Sequence, residues 1–227
     1  MHKRIRTLIL PCFCWGTLVA VIGNAFAECP KSTVYLSGTS GLAPDVVATE
    51  VSDKPTARVS YGRGTYASYD RNTRTVEARA EVWWDEGYNY YSRATVVEHF
   101  ALKGVSATPV TLRLVLEGLS GTDSACRTAT VGGSARLEAG GQIATAAVDC
   151  AGHLSVAFLE VTTFMTDAEP LEATYETAAE GYGNEPMYQL IGHLEFIGLP
   201  LGAEIVPCST TLPVKNSTWG RVKALYR

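Results

Sequence analysis

Apolar and polar residues alternate with a period of two along most of this chain, which is the pattern of a strand with one buried face. The alternation is clearest in residues 75–84 and 110–117. The apolar positions are Val76, Ala78, Ala80, Val82 and Trp84 in the first segment, and Val110, Leu112, Leu114 and Leu116 in the second. Both segments therefore predict strands that bury one face and expose the other.

Further segments of this kind follow one another, separated by turn-forming residues. Strands are predicted at 33–36, 46–52, 56–60, 65–69, 90–101, 125–131, 143–149, 154–158, 172–178, 190–196 and 203–208. Turns are predicted at Gly62–Gly64, Asp70–Asn72, Gly132–Gly133, Gly140–Gly141 and Gly181–Gly183. Many short strands with one polar face each indicate antiparallel sheets packed face to face. The predicted fold class is all-β: an antiparallel two-sheet β-sandwich of jelly-roll or immunoglobulin-like type.

Residues 1–27 have the three parts of an export signal. A basic start is followed by a largely apolar stretch, and Ala25 and Ala27 occupy the two positions where a signal peptidase admits small residues. An uncleaved membrane anchor is the alternative, but Pro11 and Gly16 interrupt a short apolar run. We expect cleavage after Ala27, a domain over residues 28–212 and a basic tail over residues 213–227, in a chain that is secreted or otherwise extracytoplasmic.

Four cysteines remain after the signal: Cys29, Cys126, Cys150 and Cys208. In an exported chain they predict two disulfides, with three possible connectivities. A zinc site is the alternative, but no C-x-x-C spacing or pair of histidines accompanies the cysteines, so neither a metal nor a cofactor is expected. We favour Cys29–Cys208, which joins the two ends of the domain, together with Cys126–Cys150, which joins neighbouring strands.

The composition narrows the class of protein. Hydrophobic residues make up 46% of the chain and charged residues 19%, which excludes intrinsic disorder. The net charge of −4 becomes −7 once the signal removes three basic residues, which argues against nucleic acid as a partner. Beyond the signal no stretch of 18 apolar residues occurs, so no integral membrane segment is expected.

The charges are unevenly distributed along the chain. Residues 137–214 contain eleven acids and no Lys or Arg, whereas the tail contains four bases and no acid. Ser217 or Thr218 can cap a short helix there, with Trp219, Val222 and Leu225 on one side. Such a short helix is unstable alone in water, so Trp219 is predicted to dock on a sandwich, its own or that of a neighbour. Tail-mediated self-association is therefore a hypothesis.

Two stretches carry a resemblance to a known group of proteins. Residues 98–118 contain E-H-F-A-L-K-G followed by an alternating strand, and residues 196–208 contain F-I-G-L-P-L-G-A-E-I-V-P-C. Both stretches resemble uncharacterised exported bacterial β-sandwich proteins, among them the passenger domains of PEP-CTERM-type proteins. The resemblance covers residues 90–208 and implies the same sandwich fold but no activity. The Pro-Glu-Pro sorting anchor of that group is absent from this sequence.

An aromatic cluster is the candidate ligand site. Trp83, Tyr88, Tyr90 and Tyr91 flank a predicted hairpin that also carries Asp85. Exposed aromatic rings can stack on sugar rings, and a neighbouring carboxylate can accept hydrogen bonds from hydroxyl groups. Trp83 is the first choice because alternation places it opposite the apolar face. The alternative is that these rings only brace the hairpin, since aromatic residues favour strands.

No motif in the sequence indicates catalysis. Carboxylate pairs such as Asp167 and Glu169 are too common to identify a glycosidase, and His99, His153 and His193 are predicted as ordinary sheet residues. The favoured function is an exported non-catalytic β-sandwich that serves as a surface or matrix structural or binding module. The alternatives are a carbohydrate-binding module centred on Trp83 and a secreted hydrolase.

Overall fold

The computed structural model describes residues 30–39, 46–50, 55–62, 64–81, 89–120, 129–183 and 187–208. These residues form strands joined by short turns. The strands are β1 (Thr33–Thr39), β2 (Val46–Glu50), β3 (Thr56–Gly62), β4 (Thr65–Asp70), β5 (Thr75–Glu81), β6 (Asn89–Lys103), β7 (Ala107–Ser120), β8 (Ala129–Ala139), β9 (Gln142–Val148), β10 (Phe158–Thr166), β11 (Leu171–Gly183), β12 (Met187–Ile197) and β13 (Glu204–Pro207). The predicted signal and the predicted tail helix lie outside the described residues.

The strands form two antiparallel sheets. Sheet A has the order β2-β1-β6-β11-β8-β9, and β13 pairs with the far end of β6. Sheet B has the order β10-β7-β12-β5-β4-β3. The two sheets pack face to face, with β5 and β12 of sheet B against β6 and β11 of sheet A. The predicted antiparallel two-sheet β-sandwich is confirmed.

Several hairpins are set by local turn chemistry. Asp70 ends β4, and its side chain accepts the backbone N–H of Asn72 at 2.9 Å, which holds the turn before β5. Gly140 and Gly141 join β8 to β9 with φ values of 55° and 76°, a region that favours glycine. Both turns lie where the sequence predicts them.

The core is built from alternating side chains of both sheets. In β5 and β7 the predicted apolar positions Val76, Ala78, Ala80, Val110, Leu112, Leu114 and Leu116 are all buried. The largest enclosed side chains come from both sheets: Tyr90, Phe100 and Tyr175 from sheet A, and Tyr69 and Tyr188 from sheet B. Since burial of apolar area is the main favourable contribution to folding, this shared layer holds the two sheets together.

Three sequence predictions are wrong in detail. The strand expected over 154–158 starts at Phe158 and has the opposite phase: Leu159 and Val161 are buried, whereas Val156 and Phe158 are 43% and 46% exposed. The segments Gly132–Gly133 and Gly181–Gly183 are not turns, because they lie within β8 and at the end of β11. Here glycine serves close approach between strands: a Cβ added at Gly133 would lie 2.3 Å from the backbone oxygen of Ala178.

Thr177 gives a test of the core. Its hydroxyl is fully enclosed and has no hydrogen-bond partner in the described part of the chain. Thr177→Val replaces this hydroxyl by a methyl group of similar size, so we expect the free energy of unfolding to rise by about 1 kcal/mol. Urea denaturation of the two proteins measures the change. A loss of stability would contradict the view that the Thr177 hydroxyl is unsatisfied.

Candidate functional site

The predicted ligand residues do not share one surface. Tyr90 is 1% exposed and belongs to the core, so its prediction as a ligand residue is wrong. Tyr90 shares the even-numbered, inward-pointing positions of β6 with Ala94 and Val96. Its neighbour Tyr91 points to the outer face of sheet A. Trp83, Asp85 and Tyr88 lie outside the described residues, so their role in ligand binding stays a prediction.

The outer face of sheet A brings a second tyrosine close to Tyr91. In the pairing of β6 with β11, Tyr91 lies opposite Glu180 and Tyr182 lies opposite Asn89. Tyr91 and Tyr182 are therefore diagonal neighbours, about 7–8 Å apart at their Cα atoms, which is within reach for aromatic side chains. Tyr182 is 50% exposed and Tyr91 is half-buried.

Charged side chains continue this surface along the same two strands. The Nε of Arg93 lies 3.4 Å from Oε1 of Glu176, and its guanidinium lies 5.4 Å from the centre of the Tyr91 ring. The hydroxyl of Thr95 donates to Oε2 of Glu176 at 2.6 Å. These contacts fix the orientation of the Glu176 carboxylate and of the Arg93 guanidinium. We call Tyr91, Arg93, Glu176, Glu180 and Tyr182 the tyrosine face.

Small residues lie in the middle of the tyrosine face. Ala178 separates Glu176 from Glu180 on β11 and pairs with Ser134 of β8, and Gly132 of β8 lies opposite Glu180. A Cβ added at Gly132 would lie 3.6 Å from Oε2 of Glu180, which is ordinary contact. Ala178 therefore separates the longer side chains of the tyrosine face on β11, and the short residues Gly132 and Ser134 border them on the β8 side.

The electrostatics keep the tyrosine hydroxyl at position 91 protonated. Burial raises the pKa of Tyr91, the Arg93 guanidinium lowers it, and the carboxylates of Glu176 and Glu180 raise it again. The net shift is upward, so the phenol is a neutral hydrogen-bond donor at physiological pH. The tyrosine face thus combines a donor hydroxyl, two carboxylate acceptors, a guanidinium and two aromatic rings.

Sequence reasoning missed most of the tyrosine face. Tyr182 stands between two glycines in a predicted turn, and Glu176 and Glu180 belong to the acidic stretch 137–214, for which the sequence predicts no ligand role. The sequence pattern does contain this surface. Alternation with a period of two places on one side of the strand Glu172, Thr174, Glu176, Glu180 and Tyr182. Extending the predicted strand from 172–178 to Gly183 would have placed them on one face.

The three histidines of the described residues lie in different parts of the fold. His99 and His193 lie in strands as predicted, but His153 lies in the loop after β9, bound to Asp149 at 3.1 Å. Within the described ranges no three His, Cys, Asp or Glu side chains are grouped so that they could hold a metal ion. The same ranges contain no helix of the length and apolarity needed to cross a membrane.

Comparison with known proteins gives limited information. No protein-family model matches the chain, and no curated protein matches its sequence. One solved structure that is similar in fold is that of TmCBM61 in complex with β-1,4-galactotriose, at 13% identity and a TM-score of 0.25, covering 73% of this chain and 88% of the other. At that TM-score the similarity carries no argument about the ligand of this chain.

Proposed function

We propose that this protein is a non-catalytic glycan-binding β-sandwich and that the tyrosine face is its binding surface. The observation that carries the proposal is the pair formed by half-buried Tyr91 and exposed Tyr182, which are held as diagonal neighbours on one sheet face. Aromatic rings of this kind present an apolar face beside a polar hydroxyl, which matches a sugar with its C–H bonds on one side and hydroxyls at its rim.

The charged residues of the tyrosine face fit hydroxyl groups. The Glu180 carboxylate is exposed, and the Glu176 carboxylate accepts from Thr95 and pairs with Arg93. Carboxylates bound to hydroxyl donors form charge-assisted hydrogen bonds, which are stronger than bonds between neutral groups. Because β-strands hold these side chains at fixed spacing, the surface needs little reorganisation to bind.

The structure also bears on the hydrolase alternative. Among the described carboxyl groups, that of Glu98 has a raised pKa, chiefly because it is buried. Its side chain is 0% exposed, so no polysaccharide can reach it. A raised pKa is often a sign of an acid catalyst, but here it follows from enclosure in the core. We therefore propose binding without catalysis.

Tyr182→Ala tests the tyrosine face. A glycan array first identifies a ligand of the wild-type chain, and isothermal titration calorimetry then measures its dissociation constant. We expect Tyr182→Ala to weaken binding by about 10- to 100-fold, taking for the sugar the roughly 1–3 kcal/mol by which a nucleic-acid base stacks on an aromatic ring. The free energy of unfolding is expected to change by less than about 0.5 kcal/mol, because Tyr182 is exposed.

Tyr35→Ala is the matched control. Tyr35 is 42% exposed on the same outer face of sheet A, but it lies opposite Thr95 and therefore four residues along β6 from Tyr91. Its replacement is expected to leave the dissociation constant unchanged. Equal losses for both variants, or no loss for Tyr182→Ala, would reject the tyrosine face as the binding surface. Loss on Trp83→Ala alone would move the site to the predicted hairpin.

A further inference from the structure

Strand β10 at the edge of sheet B presents a regular set of free backbone groups. The backbone oxygen of Ala157 accepts the N–H of Leu116 at 2.9 Å, and the N–H of Asp167 donates to the oxygen of Ser106 at 3.0 Å. In an antiparallel strand the backbone N–H and C=O of one residue point to the same side. The backbone groups of the odd-numbered residues of β10 therefore point towards β7. The N–H and C=O groups of Phe158, Glu160, Thr162 and Phe164 therefore point away from the sheet.

Two other edges of the sandwich, at β3 and β9, carry several protections against strand pairing. At the opposite edge of sheet B, β3 follows Pro55, carries exposed Arg58 and has an irregular register between Ser60 and Gly62. At the β9 edge of sheet A, both the N–H and the C=O of Ala147 are hydrogen-bonded to Ser155. Proline, charge, irregularity and covering segments are the usual devices against unwanted strand pairing.

By contrast, β10 is long and regular, and its exposed face carries two aromatic rings beside Glu160, whose carboxylate pairs with Arg113 of β7. Its nine residues pair with β7 without a register shift and include no Pro, Lys or Arg. Phe158 and Phe164 are 46% and 64% exposed, and within the ranges that the structure describes no strand lies beyond β10. Such an edge is a template for pairing with another strand.

We propose that β10 is a self-association edge, at which it pairs antiparallel with β10 of a second copy of this chain around a two-fold axis. The axis passes through Val161, so that each Phe158 lies opposite Phe164 of the second copy and each Glu160 lies opposite Thr162 of the second copy. In this register every outward-pointing backbone group finds a partner, and sheet B continues from one protomer into the other.

The side chains favour this register over the two centred on the adjacent outward-pointing residues, Glu160 and Thr162. A shift of the axis to Glu160 would place the two Glu160 carboxylates opposite each other, and like charges in that position are unfavourable. A shift to Thr162 would place Phe164 opposite Glu160. The register centred on Val161 avoids both contacts and forms two aromatic cross-strand pairs, which are favourable.

The proposal predicts opposite effects for two charges at one position. In the Val161 register, Thr162→Glu brings two new carboxylates opposite the Glu160 carboxylates, whereas Thr162→Lys brings two ammonium groups there. We expect sedimentation equilibrium of the full chain to show a wild-type dimer and a dissociation constant raised about tenfold by Thr162→Glu. Thr162→Lys is expected to leave the constant unchanged or lower it. Weakening by both charges would indicate the Thr162 register and overturn the one proposed.

Two further variants keep the test decisive. Thr145→Glu makes the same substitution on the edge strand β9 and is expected to leave the dimer unchanged. Phe164→Ser removes one ring from each aromatic pair at a site 64% exposed, so the fold should persist while dimerisation weakens. A monomeric wild-type chain at the highest concentration, or weakening by Thr145→Glu alone, would overturn the proposal. If the wild-type chain is a monomer and dimerises only after removal of residues 213–227, then the chain's own tail covers the β10 edge, and the proposal is overturned.

Discussion

Glu98→Gln is expected to raise the free energy of unfolding at pH 7 by about 1–3 kcal/mol, because it removes an acid that is enclosed in the core. Glu98 lies on the inner side of β6 and is 0% exposed. Its Oε2 accepts from the hydroxyl of Tyr175 at 2.8 Å and from that of Tyr69 at 3.3 Å. Its Oε1 has no hydrogen-bond partner within the described residues.

The ionisation of Glu98 makes the free energy of unfolding of the wild-type chain depend on pH. Burial raises the pKa of Glu98, and the hydrogen bond from Tyr175 and the charges of Arg71 and Arg74 offset only part of the rise. A glutamate in the unfolded chain loses its proton near pH 4.3, whereas folded Glu98 keeps its proton to a higher pH. Between the two pKa values the unfolded state binds fewer protons, so the stability of the wild-type chain falls as pH rises.

Two substitutions of Glu98 distinguish the effect of its charge from the effect of its packing and hydrogen bonds. Glu98→Gln keeps an acceptor for Tyr175 and Tyr69 and is expected to flatten the stability profile above pH 4.3. Glu98→Ala leaves both phenols without their acceptor and opens a cavity, so it is expected to lose stability relative to the glutamine variant at every pH. Glu172→Gln removes a carboxylate with 64% exposure and should change stability by less than about 0.5 kcal/mol. Urea denaturation between pH 4 and 8 measures all four proteins. A profile for Glu98→Gln parallel to the wild type would contradict the argument.

The sequence predicted the architecture because alternation is a local property. The phase of β5 and β7 could be read directly, since segments 75–84 and 110–117 have five and four apolar residues at every second position. The phase of β6 could not be read in the same way at Tyr90 and Tyr91, because the two residues are adjacent aromatics and either fits an inward position. A shift of one residue exchanges the core for the surface, which is why Tyr90 was assigned wrongly.

Contacts between distant strands could not be predicted from the pattern. The partners of Glu98 lie 29 and 77 residues away in sequence, on strands of both sheets. The tyrosine face likewise depends on the register between β6 and β11, which follows from the packing of the whole sandwich. Local patterning shows that Glu98 faces inward, but only the assembled sheets show which phenols bind it.

The register of sheet A also bears on the disulfides. Cys150 lies beside Val131, since its backbone oxygen accepts the Val131 N–H at 3.3 Å, and β8 begins three residues after Cys126. Cys208 donates its backbone N–H to the oxygen of His99 at 2.8 Å. Through the pairings of β8, β11 and β6, Val131 lies level with Tyr90, nine residues along β6 from His99. Cys150 and Cys208 are thus about 30 Å apart along the strands, far beyond the 7 Å limit of a disulfide.

The remaining choice concerns Cys29. On one side of β6, Thr33 at the start of β1 lies opposite Val97, and Pro207 at the end of β13 lies opposite Phe100. The residues that precede β1 and the residues that follow β13 therefore run towards each other along the same side of β6. Cys29 is four residues from Thr33, a span of at most about 14 Å, which reaches towards Cys208 but not to Cys150 at the other end of the sandwich. This geometry supports Cys29–Cys208 with Cys126–Cys150.

Loss of the Cys29–Cys208 bridge is therefore expected to be the most destabilising of the changes considered. Chain entropy gives about 5 kcal/mol for this long loop and about 3.5 kcal/mol for the loop from Cys126 to Cys150. We expect the double variant Cys29→Ser, Cys208→Ser to unfold at lower urea than Cys126→Ser, Cys150→Ser. Peptide mapping without reduction provides the direct measurement: one fragment should join Cys29 to Cys208. Thiols accessible to alkylation in the folded chain under oxidising conditions, or a fragment joining Cys29 to Cys150, would contradict the pairing. Because β13 is only four residues long, this covalent link is what we expect to hold it against β6.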